Sequence, residues 1–103
     1  MQGTKDYLFH KVSTVHPLPD FRLLVGFKNG ETKEYDVKQC FDRWPIFKTF
    51  QSQQNDFYKV GADPDGFGVI WNEDIDLGCN ELYNNGTPSD LTFTNGEEQP
   101  SVE

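Results

Sequence analysis

Phe21-Arg22-Leu23-Leu24-Val25-Gly26-Phe27-Lys28-Asn29-Gly30-Glu31-Thr32-Lys33-Glu34-Tyr35-Asp36-Val37 is the stretch whose reading decides the fold. It reads as two strands that reverse at Asn29-Gly30. Glycine adopts a positive φ without steric cost and asparagine tolerates one, so this dipeptide suits the tight turns that match strand twist. Leu23, Val25 and Phe27 alternate onto one face, while Arg22, Leu24, Gly26 and Lys28 take the other. The second strand admits two registers. A two-residue loop pairs Phe27 with Thr32 and Val25 with Glu34. A three-residue loop with a bulge at Gly30 slips the pairing and brings Tyr35 and Val37 to the apolar face. A slip of one residue turns every side chain over. The preference of Asn-Gly for the two-residue loop tips the reading toward the first register, with the second left open.

Upstream, residues 1–6 are polar and read as a frayed end. Tyr7 to Val15 reads as a first strand. His16-Pro17-Leu18-Pro19-Asp20 then removes two backbone donors, and the strand is expected to stop there. Downstream, the period changes after Asp36, which can cap a short helix through Trp44. Cys40, Phe41 and Trp44 share one side of it. Pro45 ends that helix and opens a second segment, Ile46 to Gln53, with Ile46, Phe47 and Phe50 as its apolar stripe. Such aromatic stripes are usually core, and what they leave exposed would be a partner groove. Phe57 to Ala62 reads as a strand, Asp63-Pro64-Asp65-Gly66 as a turn, and Phe67 to Trp71 as a returning strand, making a second hairpin. Residues 72–77 form an acidic loop anchored by Ile75 and Leu77, and residues 78–83 add a helical turn.

These elements define an α+β fold: a small curled antiparallel sheet from two β-hairpins plus an N-terminal strand, with one or two short helices between the hairpins. A single domain is expected over residues 7–85. Residues 86–103 turn to Asn, Gly, Thr, Pro, Ser and Glu and read as a disordered acidic tail. With 103 residues the chain holds one modest core. No apolar run approaches the roughly 20 residues of a membrane span. The start of the chain has no basic-then-apolar leader pattern, so a cytoplasmic location is the default.

Charge is divided along the chain. Residues 1–59 hold nine Lys and Arg against seven Asp and Glu, a balance of +2; residues 60–103 hold ten acids and no Lys or Arg, a balance of −10, which together give −8. An anionic half repels phosphate backbones, so direct nucleic-acid binding is disfavoured. The same charge suits either solubility or a docking face for a basic partner protein.

In their order, Val15-His16-Pro17-Leu18, Leu23-Leu24-Val25-Gly26-Phe27-Lys28-Asn29-Gly30-Glu31, Tyr35-Asp36-Val37, Phe57-Tyr58-Lys59-Val60, Ile70-Trp71-Asn72, Ile75-Asp76-Leu77 and Glu81-Leu82-Tyr83 resemble the small bacterial family called domain-of-unknown-function 2442. The likeness runs over roughly residues 9 to 83. It implies a compact α+β domain with a curled antiparallel sheet holding one or two short helices. Members of the family occur alone or joined to helix-turn-helix domains, some beside small toxin-like genes. The family has no established activity, so the resemblance supplies no catalytic residues. This chain lacks a helix-turn-helix and carries the acidic tail.

Chemistry-bearing residues are few. Cys40 and Cys79, with His10 and His16, fit no zinc spacing, and two free thiols are expected. Asp63-Pro64-Asp65-Gly66 resembles a fragment of a calcium loop, but its Gly comes too early and strands flank it. Glu73, Asp74 and Asp76 crowd together and could raise a pKa or dock a cation. There is no phosphate loop, no dinucleotide fingerprint and no framed nucleophile. No catalytic residue, metal site or cofactor is assigned. The leading expectation is a non-enzymatic interaction or regulatory accessory module, toxin-antitoxin-like in its most concrete form. It would dock a protein partner, basic or strand-donating, through Glu73, Asp74, Asp76 and Trp71 or through a sheet edge. A monomer or weak homodimer is expected. The alternatives are a small metal-dependent or hydrolytic enzyme using Asp63, Asp65, Glu73, Asp74 and Asp76, and a nucleic-acid-associated regulator.

Overall fold

A computed structural model describes residues 10–89. The α+β class holds, with the strands divided between two antiparallel sheets. The first sheet has the order β1-β2-β3-β7, formed by β1 (Val12–Leu18), β2 (Arg22–Phe27), β3 (Thr32–Asp36) and β7 (Thr87–Pro88). The second has the order β4-β5-β6, formed by β4 (Gly61–Ala62), β5 (Gly68–Asn72) and β6 (Ile75–Gly78). The two meet where the start of β1 crosses the turn of the second hairpin, the Val12 amide donating to the Gly66 carbonyl at 2.7 Å.

The β2–β3 register is the three-residue alternative, which corrects the expected two-residue loop. Leu23 pairs with Tyr35 and Val25 with Lys33. The Phe27 amide reaches the Glu31 carbonyl at 2.9 Å, and Gly30 sits at φ +95°. That is a turn closed by a left-handed glycine, and it needs glycine at its third position as much as the two-residue loop needs Asn-Gly. Burial decides between them. The observed register sends Tyr35 and Val37 into the core, both with no exposed surface. The other register would have turned Tyr35 to solvent. Asn29 still contributes, its side-chain oxygen accepting from the Glu31 amide at 2.9 Å.

β1 does not stop before Pro17. It runs through Leu18, with Pro17 opposite Leu23. The strand lies at the edge of its sheet, where a missing donor costs no ladder bond. Tyr7, the expected start of this strand, lies outside the described residues. Asp20 and Phe21, at φ 66° and 57°, then turn the chain back. A left-handed phenylalanine is unusual. Phe21 is held there by edge-on packing against Phe41 and Phe57, centroids 5.6 and 5.5 Å apart, and by its carbonyl accepting from the Val37 amide.

After β3 the chain makes a helical connection. A 3-10 turn, Val37–Gln39, runs into α1 (Cys40–Arg43); a second, Pro45–Lys48, runs into α2 (Thr49–Ser52); α3 (Gln54–Phe57) follows. Asp36 caps the first turn, its side chain accepting from the Lys38 amide at 2.9 Å. Phe57 therefore ends a helix and does not begin a strand, which corrects the expectation for residues 57–62; only Gly61–Ala62 is extended. The Phe57 ring packs on Phe50 and Trp71, and helical geometry aims it there. The acidic stretch from Asn72 is a hairpin turn leading into β6, with Ile75 and Leu77 buried as anchors. α4 (Cys79–Asn85) supplies the expected last helical turn. Residues 87–89 are not tail: β7 pairs with Lys33 and Glu34, and the Ser89 amide reaches the Thr32 carbonyl. Residues 90–103 lie outside the described residues. No described helix is long and apolar enough to cross a membrane.

Candidate functional site

A groove of about 440 Å³ runs between β6 and the segment that joins α1 to the second 3-10 turn. Its floor is Phe47 and Leu77, both buried. Trp44 and Ile46, 39% and 47% exposed, stand on one wall, and Asp74 and Asp76 on the other. Each wall has a local cause. Pro45 interrupts the helix and leaves Trp44 extended at φ −137°, so its ring turns out of the apolar stripe that Cys40 and Phe41 keep. On the other wall, Asn72 accepts from the amides of Asp74 and Ile75 at 2.8 and 3.0 Å. That closes the turn and starts β6 with Ile75 inward and Asp76 outward.

Glu81 lines the groove with a partly buried side chain that holds several polar partners. It takes both guanidinium nitrogens of Arg43, at 2.7 and 3.1 Å, and the Tyr35 hydroxyl at 2.6 Å. Tyr35 gives its single hydrogen to Glu81, so its oxygen accepts from the Cys40 thiol 3.2 Å away. Arg43 holds the Glu81 carboxyl below the ordinary carboxylate range. Burial lifts the Cys40 thiol above its ordinary value and pushes the Tyr35 hydroxyl far above its own. Both therefore stay protonated near neutral pH, and a protonated buried thiol is a poor nucleophile. The network is a structural clamp. It also fixes the groove wall, because the Arg43 guanidinium lies 4.2 Å from the centre of the Trp44 ring.

Of the four docking residues expected from sequence, the structure brings Asp74 and Asp76 to this groove. Glu73 sits exposed in the adjoining turn. Trp71 faces the other way. Its indole donates to the Phe57 carbonyl at 2.9 Å, and its ring lies among Phe47, Phe50 and Phe57 at 5.7, 5.2 and 5.9 Å. It is a core residue, 8% exposed, and does not line the groove. Sequence reasoning reached Ile46 only as the exposed remainder of the 46–53 stripe, and it missed Trp44 and Glu81 as site residues. The available signal was Pro45, which separates Trp44 from Ile46 and prevents them from belonging to one continuous stripe.

The carboxylates of the enzymatic alternative are dispersed. One oxygen of Asp63 accepts from the amides of Asp65 and Phe67, both at 3.1 Å, and so caps its own turn. Asp63 and Asp76 border a second, smaller cleft of about 110 Å³ beside Ile70 and Phe67. Among the described residues, no group of three or more His, Cys, Asp or Glu side chains is placed to hold a metal ion. Cys40 and Cys79 are both buried free thiols.

No curated protein and no solved structure matches the chain. A family model described as "Protein of unknown function (DUF2442)" matches residues 12–88, the span from the start of β1 to the end of β7 that builds both sheets and the groove, and the chain belongs to that family.

Proposed function

We propose that this chain is a non-enzymatic interaction module whose groove docks a basic protein partner. The observation that supports this reading is the pairing of two exposed apolar side chains, Trp44 and Ile46, with Asp74 and Asp76 across one concave surface. Apolar area supplies affinity in such a cleft, and one sign of charge supplies selection and a fast encounter. Residues 60–103 carry no Lys or Arg, so nothing of opposite sign on that half neutralises the acidic wall. The narrower role, a regulatory accessory of the toxin-antitoxin kind, rests on the company kept by family members. It adds that the partner would be a small basic protein.

The test is capture from host lysate by the tagged chain at low and high salt, beside a variant carrying Asp74→Lys and Asp76→Lys and a second carrying Trp44→Ala and Ile46→Ala. A single stoichiometric partner, weakened by salt and lost from both variants, supports the reading. A partner retained by both variants places the docking face elsewhere.

A further inference from the structure

We propose that the groove takes an extended partner segment, which adds to β6 as a further strand and alternates basic with apolar side chains; this deepens the docking reading above and rests on it. Among the described residues, four strands lie at sheet edges: β1, β7, β4 and β6. Three are blunted. β1 carries Pro17 and β7 carries Pro88. β4 is two residues long and has β1 packed beside it. Prolines and short strands are the usual means of keeping an edge from pairing. β6, Ile75-Asp76-Leu77-Gly78, has neither proline nor lysine, and its outer side forms a wall of the groove.

The phase of the ladder shows which groups that edge presents. The Cys79 amide donates to the Phe67 carbonyl at 2.7 Å, and Val69 stands opposite Leu77. Hydrogen-bonded and non-bonded pairs alternate in an antiparallel ladder, so the main chain of Leu77 faces β5 and those of Asp76 and Gly78 face outward. The Gly78 carbonyl serves the first turn of α4 as its cap. Among the described residues, the Asp76 amide, the Asp76 carbonyl and the Gly78 amide are left for an incoming strand.

The occupant follows from the two faces of such a strand. Its residue opposite Asp76 would lie about 5 Å away on the same face, where a Lys or Arg is favoured and an acid is not. Its neighbours in sequence point to the other face, toward Trp44, Ile46 and Phe47, where apolar side chains fit. A second copy of this chain fits poorly. Two β6 edges paired with each other would set Asp74 and Asp76 of both copies one strand spacing apart, between molecules that each carry −8.

The probe is a capped peptide of alternating Lys and Val. Two controls accompany it: the same peptide with Glu for Lys, and one N-methylated at alternate residues so that one edge cannot donate. Gly78→Pro is the discriminating variant. Gly78 sits at φ −74° and ψ 157°, which proline adopts unstrained, and a Cβ there meets only the Phe67 carbonyl oxygen, at 4.0 Å. The substitution deletes one outward donor and keeps both the charge and the apolar wall. Binding of the Lys–Val peptide with slowed hydrogen exchange at the Asp76 and Gly78 amides is expected. It should weaken by about tenfold with the methylated peptide or with Gly78→Pro, and the Glu peptide should fail to bind. Binding that ignores Gly78→Pro and methylation but is lost with Trp44→Ala or Asp76→Asn overturns strand addition and leaves the docking module standing. A Lys–Val peptide that does not bind also overturns strand addition, and the docking module is then decided by the capture experiment alone.

Discussion

Replacing Glu81 with glutamine isolates the clamp beside the groove. Glutamine keeps the shape and one acceptor oxygen but removes the charge. Two contributions are lost. The Arg43 pair spans 2.7 Å, yet the Arg43 side chain is 45% exposed, so water and salt screen it and its share is small. The Tyr35 hydroxyl has no exposed surface and its bond to Glu81 is 2.6 Å long, so this partner matters more. A hydrogen bond to a charged acceptor contributes roughly 1.5–3 kcal/mol, and about half of that survives with a neutral one. The loss at Tyr35 therefore comes to about 1 kcal/mol, a fall in Tm of about 5 °C for a domain of this size.

The pH dependence of that loss has a definite sign. Arg43 holds the folded-state pKa of Glu81 below its ordinary value of 4.5. The carboxylate's contribution is therefore complete above the unfolded value and is lost as pH falls through the folded one. Urea denaturation of the two proteins across that window is the assay. The stability gap between the native chain and Glu81→Gln should be full near pH 7, narrow as acid is added below pH 4.5, and approach zero once Glu81 is protonated in both states. A gap that stays constant through this window, or one under about 0.5 kcal/mol at neutral pH, would refute the account of Glu81 as a partly buried charged acceptor.

Gly68→Ala drives a Cβ into the Leu77 carbonyl oxygen, so β5 and β6 must part; a loss of about 3 kcal/mol or more by chemical denaturation is expected, and an unchanged midpoint would contradict the close approach. Trp71→Phe strands the buried Phe57 carbonyl and should cost about 1–3 kcal/mol by calorimetry; a neutral result would mean that the indole bond adds nothing. Gly30→Ala should cost about 1 kcal/mol and Gly30→Asn less, because φ is +95° but open space surrounds the position; equal losses would implicate packing and not the backbone. Gly78→Pro should raise stability by about 0.4–1 kcal/mol through the unfolded chain, and a loss measured in urea would show that the Gly78 amide is engaged within the fold.

The hairpin at Asn29-Gly30 was legible because two signals agree on where the chain turns. Its register was not, because both loop lengths place a glycine there. The energy separating them lies in burying Tyr35 against Cys40 and Glu81, partners 5 and 46 residues away. Phe57 was misread for a similar reason. Phe-Tyr-Lys-Val has strand composition, yet the aromatic cluster of Phe50, Phe57 and Trp71 takes Phe57 from the end of a helix, and tertiary packing overrides propensity at so short a segment. Pro17 was read as a stop because a proline is tolerated in a strand only where no neighbour needs its amide, and that depends on which strand lies at the edge.

The groove was half legible. Asp74 and Asp76 announce an acidic surface two residues apart, which strand geometry can set on one side. What makes that surface a site is Trp44 and Ile46, which arrive from a segment about 30 residues earlier and are exposed only because Pro45 breaks the helical phase between them. Composition alone assigns both to the core. The open edge of β6 is harder still to read, since an edge is defined by what fails to pair with it. Pro17 and Pro88 protect the first sheet, and β1 covers β4. A chain that blunts three edges and leaves the fourth beside an apolar, acidic groove runs a risk of self-association there. The carboxylates of Asp74 and Asp76 answer that risk, since they repel an identical edge and attract a basic one. On the docking reading proposed above, the same two side chains would keep the free protein from pairing with itself and would select its partner. Neutralising them with Asp74→Asn and Asp76→Asn should therefore weaken binding of the Lys–Val peptide and promote self-association together. Sedimentation velocity beside the peptide titration would separate the two effects, and a variant that loses the peptide yet stays monomeric at high concentration would confine the charges to partner selection.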